Sequence, residues 1–276
     1  MQCLYPQEKS RVNKGSKILY THRCGQCMPC RVTRKQEWTL RIMLEEKCHD
    51  FSAFITLTYD DDHRPVGHSL DKVHLQKFLK RLRRRIPYKI RYFAVGEYGA
   101  ISGREHYHVL VFGLPICDHH LVQESWPYGF VQVGPLQSGG ASYVAGYCTK
   151  KYTSVEDVPL GKIPEFSTMS RSPGIGVPYL TNLINNLLRD RLQFVGDDYK
   201  YIRISGMLLP VDNFLQEKIN KIIGYEKLER PLWEDIMIDA KTYKNRLYPE
   251  ALNDKIAISR RKALQKIRLQ KAYRKM

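Results

Sequence analysis

Two runs rich in aromatic and β-branched residues, YKIRYFAVGEYG and REHYHVLVFG, follow one another between positions 88 and 113. Only a short connection containing Gly and Ser parts them, which is the signature of a β-hairpin. FSAFITLTYD (51–60) and YGFVQVGPL (128–136) read as further strands. Between them, SLDKVHLQKFLKRLRRR (69–85) has Leu75, Phe78, Leu79 and Leu82 at helical spacing, with Ser69 as the expected N-cap. GGASYVAGYCTKKY (139–152) reads as a helix despite Gly146. The order β, α, β, β, β, α predicts an α+β fold: an antiparallel central sheet of about five strands with helices packed on one face.

Around this core the pattern is weaker. Residues 1–30 look irregular, and RVTRKQEWTLRIMLEEK (31–47) is an amphipathic helix. Residues 153–178, with SRSPGIGVP, read as a long ordered loop. Helices are expected at 179–192 and 211–223, the second capped by Asp212, with a strand at 199–205 and a basic helical tail from Lys255. The expected organisation is a Cys-containing N-terminal segment and helix (1–50), a core (51–155), and a loop followed by a mostly helical basic C-terminal region (156–276).

Lysine and arginine number 45 against 28 acids, a formal charge of +17. Such an excess points to a polyanion partner. No apolar run approaches the roughly 20 residues of a spanning helix. The first residues lack the apolar stretch of a signal peptide, so a cytosolic protein without membrane contact is expected.

His106 and His108 stand at i and i+2 on a strand, so both imidazoles face one way. Without a ligand they would be partly exposed strand residues. With the turn centred between Ile101 and Ser102, Glu97 falls opposite His106 and completes a His-His-carboxylate set, while Glu105 alternates to the other face. Such a set suits magnesium, manganese, iron or zinc.

Tyr143 and Tyr147 lie four residues apart on the 139–152 helix, and Lys150 and Lys151 fall on the same face. Ala141, Val144, Ala145, Cys148 and Tyr152 form the opposite, core-facing side. The tyrosines therefore look at solvent or at a ligand. A phenol is a poor nucleophile near neutrality, and neighbouring ammonium groups favour its phenolate. A bound divalent ion would polarise a phosphate oxygen. Together these parts describe phosphodiester transesterification by tyrosine.

Cys24, Cys27 and Cys30 form a C-x2-C-x2-C run that can wrap one soft metal, most simply structural Zn2+. Cys3, His22, Cys48 and His49 are candidates for a fourth ligand, Cys3 being the one chosen. The run KRLRRR (80–85) and the basic tail are suited to phosphate contact, and Tyr88, Tyr92, Tyr98 and Trp126 either stack on unpaired bases or pack in the core.

FITLTYDD, GEYG…HYHVLVFG and YVAGYCTKK, in that order, resemble the three motifs of HUH endonucleases that initiate rolling-circle replication. CGQCMPCR, LQKFLKRLR and MSRSPGIG extend the resemblance to the replication initiators of small single-stranded DNA phages, the gokushovirus branch of the microviruses. It runs from about residue 20 to residue 180. It implies that His106, His108 and Glu97 bind Mg2+ or Mn2+. It also implies that Tyr143 and Tyr147 act as nucleophiles in successive strand transfers, with Lys150 and Lys151 as basic positions beside them. Tyr107 departs from the pattern, whose middle position is usually apolar. The implied activity is nicking of a single-stranded origin, leaving a 5′-phosphotyrosine and a 3′ hydroxyl, followed by rejoining. The partners are then origin DNA and the host polymerase and helicase, in the cytoplasm of a bacterial host. A non-catalytic zinc-containing nucleic-acid-binding protein, and a related transposase or relaxase, are the rival readings.

Overall fold

The computed structural model describes residues 3–13, 16–99, 102–136, 140–147, 161–189 and 200–223. These fall into two compact units, one within residues 3–34 and one spanning Lys35–Ile223. The expected basic tail, Cys148, Lys150, Lys151 and Tyr152 lie outside the described residues.

In the first unit, β1 (Gln7–Asn13) pairs antiparallel with β2 (Ser16–His22). This corrects the expectation of an irregular segment. Both strands are largely polar and lack the alternation that marks a half-buried strand, so the hairpin leaves no pattern to find. The long helix α1 (Met28–Glu46) begins in this unit.

The larger unit is built on five strands in the order β6-β3-β5-β4-β7, every neighbouring pair antiparallel. In chain order its elements are β3 (Ser52–Tyr59), α2 (Lys72–Arg85), β4 (Arg91–Tyr98), β5 (Glu105–Phe112), α3 (His120–Ser125), β6 (Gly129–Pro135), α4 (Gly140–Tyr147) and β7 (Phe166–Met169). After them come α5 (Val177–Arg189), a small β8 (Tyr201–Ile204) and β9 (Met207–Pro210) hairpin, and α6 (Asn213–Ile223). Neither β7 nor β9 is expected from the sequence. Each has only four residues, and β7 pairs at the edge of the sheet inside a Pro- and Gly-rich stretch.

Helix α2 forms because Leu75, Phe78, Leu79 and Leu82 make one buried stripe, each side chain contributing about 1.5–3 kcal/mol. Its N-cap is Asp71, whose Oδ1 accepts the N–H groups of Val73 (2.6 Å) and His74 (3.3 Å). The expected cap, Ser69, instead accepts the N–H of Ile163 at 2.9 Å. The stripe packs on Ala53, Ile55 and Leu57 of β3 and Tyr107, Val109 and Val111 of β5, with Trp126 in the same core.

The sheet is covered on both faces, not one. Phe93 and Val95 of β4 and Leu110 and Phe112 of β5 pack against Ile42 of α1 and Ala141, Val144 and Ala145 of α4. The uninterrupted run VLVF at the end of β5 is what burial on both faces requires. A further core joins Leu40 and Leu44 of α1 to Leu180 of α5 and Leu215 and Ile219 of α6.

The SRSPGIG stretch is fastened to this layer by Glu45, which is fully buried. Its carboxylate pairs with Arg91, contacts His49 Nε2 at 3.3 Å and accepts the N–H of Gly176 at 2.7 Å. Burial alone would raise the Glu45 pKa, but the hydrogen bonds from His49, Arg91 and Gly176 outweigh it and hold the group below the usual carboxylate value. Gly176 has φ +82°, and a side chain there would begin 2.8 Å from the Arg41 carbonyl oxygen, so the turn needs glycine.

Candidate functional site

The β4–β5 register sets Glu97 opposite His106, as the turn position predicted. Glu97 Oε1 lies 2.7 Å from His106 Nε2 and 3.1 Å from His108 Nε2. The three ligand atoms lie within 4.8 Å of one another. Glu97 and His108 are buried and His106 is half-buried, so the cluster sits under the surface with one side open.

Each imidazole is oriented through its other nitrogen. His106 Nδ1 lies 3.0 Å from the Arg104 carbonyl, which can only accept, so in the neutral ring the proton sits on Nδ1 and Nε2 offers its lone pair to the centre. His108 Nδ1 lies 3.2 Å from Thr56 Oγ1 on the adjacent strand. Outer partners of this kind fix the tautomer and the ring plane of metal-binding histidines. Two imidazole nitrogens and a carboxylate oxygen, already converged, fit a divalent cation; the donor types do not choose among magnesium, manganese and zinc.

Helix α4 lies on the same face. The Tyr147 ring stacks on His108, with centroids 4.6 Å apart and planes 19° from parallel. Tyr143 meets Tyr147 edge-on at 5.0 Å and stands 6.0 Å from His108. Phe54 backs both, stacked on His108 at 5.4 Å and edge-on to Tyr143 at 5.9 Å. Tyr143 is 55% exposed, whereas Ala141, Val144 and Ala145 are buried on the opposite side of the helix. The structure thus brings together Glu97, His106, His108, Tyr143 and Tyr147.

Lys35 joins this face without having been expected there. A methyl group at Gly146 would meet its Cε and Nζ at 3.7 Å, so an ammonium lies against the tyrosine helix. Nothing in the local sequence singles it out, since it sits in an ordinary amphipathic run of α1.

Tyr107, the middle residue of the histidine motif, faces the other layer. Its hydroxyl donates to the Asp71 carbonyl (2.8 Å), accepts the Asp71 N–H (2.8 Å) and bonds to Tyr59 Oη (2.9 Å). The phenol is therefore a fully partnered clamp on the start of α2, and burial pushes its pKa up to about 12. Glu105 also turns away from the cluster, as expected, and pairs with Arg64 at 3.1 Å.

The basic run on α2 divides by face. Arg81 bonds Tyr128 and Arg85 pairs with Glu124, while Lys80, Arg83 and Arg84 line an open groove with Gln76, Leu79 and Tyr92. Trp126 is buried and donates its indole N–H to the Thr58 carbonyl at 3.2 Å, which places it in the core and not among base-stacking residues. Tyr98 Oη donates to the Ile163 carbonyl, and Tyr88 donates to Asp118.

In the first unit Cys3, Cys24, Cys27 and Cys30 form a second group whose sulfurs all lie within 4.8 Å of one another. Of the other candidate ligands, His22 is not in the group. Cys48 contacts the Leu44 carbonyl and His49 contacts Glu45. Among the described residues no helix is long and apolar enough to cross a membrane.

Fold and site define an α+β protein that carries a histidine–carboxylate cluster on its central sheet beneath a tyrosine helix. Residues 52–152, which hold all of that cluster and both tyrosines, match the family of the replication-associated protein ORF2. The chain is 32% identical over 225 residues to replication-associated protein ORF2 of Spiroplasma virus 4, covering 65% of this chain and 69% of that one. It is 29% identical over 226 residues to replication-associated protein ORF4 of Chlamydia phage 1, covering 73% of this chain and 54% of the relative. Replication-associated protein VP4 of Bdellovibrio phage phiMH2K is 29% identical over 196 residues, 57% of this chain and 60% of its own. No solved structure matches. The chain belongs to this family of replication-associated proteins of the microviruses.

Proposed function

We propose that this protein is a metal-dependent HUH-type endonuclease and strand transferase that initiates rolling-circle replication at a phage origin. The observation that carries the reading is the stacking of Tyr147 on His108 at 4.6 Å, which puts the tyrosine helix directly over the metal-ligand cluster. A tyrosine oxygen attacks an origin phosphorus, the bond to the 3′ oxygen breaks, and the 5′ phosphate stays on the tyrosine. One phosphodiester replaces another, so no external energy source is needed. The second tyrosine repeats the exchange when the displaced strand is released, and the ends are rejoined into a circle.

The roles divide by residue. His106, His108 and Glu97 hold Mg2+ or Mn2+, which when bound supplies Lewis-acid polarisation of a phosphate oxygen. Tyr143 and Tyr147 are the nucleophiles. Lys35 in the described structure, and Lys150 and Lys151 in the sequence, offer positive charge to the phenolate and the phosphate. Lys80, Arg83 and Arg84 are suited to hold the backbone of the strand. The partners are single-stranded origin DNA and host polymerase and helicase, in the cytoplasm of the bacterial host.

The test mixes protein, a single-stranded origin oligonucleotide and Mn2+ or Mg2+, and looks for a covalent adduct. The adduct is expected from the wild type and not from the Tyr143→Phe/Tyr147→Phe protein. Persistence of the adduct in that double variant defeats the tyrosine assignment. Normal cleavage by His106→Ala/His108→Ala defeats the metal assignment. Salt-sensitive binding without cleavage in any metal identifies a non-catalytic DNA-binding protein instead.

A further inference from the structure

We propose that Cys3, Cys24, Cys27 and Cys30 bind a single zinc ion as a closed tetrathiolate centre, separate from the His106–His108–Glu97 cluster. Spacing is the first argument. Zinc–sulfur bonds of about 2.3 Å in tetrahedral array place the sulfurs about 3.8 Å apart. Cys3 and Cys27 Sγ are 3.8 Å apart, Cys24 and Cys30 Sγ are 4.0 Å apart, and all four lie within 4.8 Å of one another. A disulfide needs about 2.05 Å, and all four cysteines are free thiols. An iron–sulfur cubane binds each thiolate to a different iron and so spreads the four sulfurs wider than one ion does.

The second argument is the backbone. The N–H of Cys27 donates to Cys24 Sγ at 3.3 Å, and the N–H of Cys24 donates to Cys3 Sγ at 3.2 Å. Amide donors aimed at sulfur stabilise thiolates and fix them as ligands. Arg23, Arg31 and Arg34 flank the run in sequence, which suits the net negative charge of a zinc tetrathiolate.

Topology gives the role. Cys24 and Cys27 lie in the turn that leads into α1, Cys30 lies in its first turn, and Cys3 comes from before β1. One ion therefore joins the two ends of the segment that contains the β1–β2 hairpin. Four protein ligands leave no open position, so the centre is structural and does no chemistry. The strands of this unit are largely polar in sequence, so the metal supplies much of its folding energy.

The full-length chain is purified without chelator and its metals are counted by mass spectrometry. About one zinc per chain is expected to survive dialysis against excess Mg2+. Cobalt exchanged into the site is expected to give the visible bands of a tetrahedral tetrathiolate, with the sulfur-to-cobalt band reduced by about a quarter in Cys3→Ser. The His106→Ala/His108→Ala protein is expected to keep its zinc, which separates this site from the nuclease cluster. The proposal is overturned by zinc retained in Cys24→Ser/Cys27→Ser, by protein that carries iron and sulfide, or by wild type whose cobalt spectrum is octahedral. The cobalt spectrum needs only the wild type, so the test survives if the cysteine variants fail to fold.

Discussion

Thr56→Val tests the metal reading without touching a ligand. His106 is held through a backbone carbonyl that no substitution removes, whereas His108 is held by the Thr56 hydroxyl at 3.2 Å. Valine keeps the β-branched shape, and Thr56 sits in the ladder between His108 and Gln132, so the strand itself is retained. Losing an outer partner of a metal-bound imidazole weakens metal affinity about 10–100-fold, or about 1.4–2.8 kcal/mol. Here the ring keeps its stacking on Phe54 at 5.4 Å and on Tyr147 at 4.6 Å. The loss therefore falls in the lower part of that range, about 10–30-fold. Titration of Mn2+ followed by electron paramagnetic resonance reads the affinity directly. Thr56→Ser keeps the hydroxyl and should bind close to wild type. Wild-type Mn2+ affinity in Thr56→Val, or a Thr56→Ser protein as weak as the valine variant, would refute the reasoning.

Three further outcomes follow from the fold. Glu45→Ala leaves the Arg91 guanidinium and the Gly176 N–H without their buried acceptor, and should cost about 3–5 kcal/mol in urea unfolding; a loss below about 1 kcal/mol would remove Glu45 as the fastening point. Asp71→Ala deletes the α2 cap and should cost about 0.5–2 kcal/mol, while Ser69→Ala should leave helix capping intact; the two variants are compared by circular dichroism on heating. Glu45 and Glu105 both have folded pKa values below their ordinary ones, each because partners outweigh the effect of burial. Their contribution is complete above the unfolded carboxylate pKa of about 4.3 and is lost as pH falls through the lower folded values, so the melting temperature should drop across that window. A melting temperature that holds steady or rises there contradicts the pairing with Arg91 and Arg64.

The central hairpin was legible because its two halves carry strong and equal patterns. Once the turn is placed, pairing by twos fixes Glu97 opposite His106 with no long-range information. The face of α4 was legible for a similar reason: Ala141, Val144 and Ala145 leave only one side for Tyr143 and Tyr147. The cap of α2 was misplaced because Ser69 and Asp71 are equally good local signals. What decides between them is Ile163, which claims the serine from 94 residues away. The second covered face of the sheet was hidden by reading each strand singly, although the run VLVF of β5 already required it. Lys35 and β7 carry no local signal. One gains its place by packing against Gly146, the other by finding the free edge of β4.

The middle strand of the sheet serves two masters in alternation. His106 and His108 point into the site, while Tyr107 and Val109 point into the α2 core, where the phenol grips Asp71. A deletion or insertion of one residue inside β5 would exchange the two sets, burying imidazoles among leucines and exposing the clamp. Single-residue length changes are therefore barred from 105–112 in any descendant of this chain. Heritable drift in length must pass through the turn before that strand or the loop after it, and the spacing of the two histidines is inherited as a unit with the tyrosine between them.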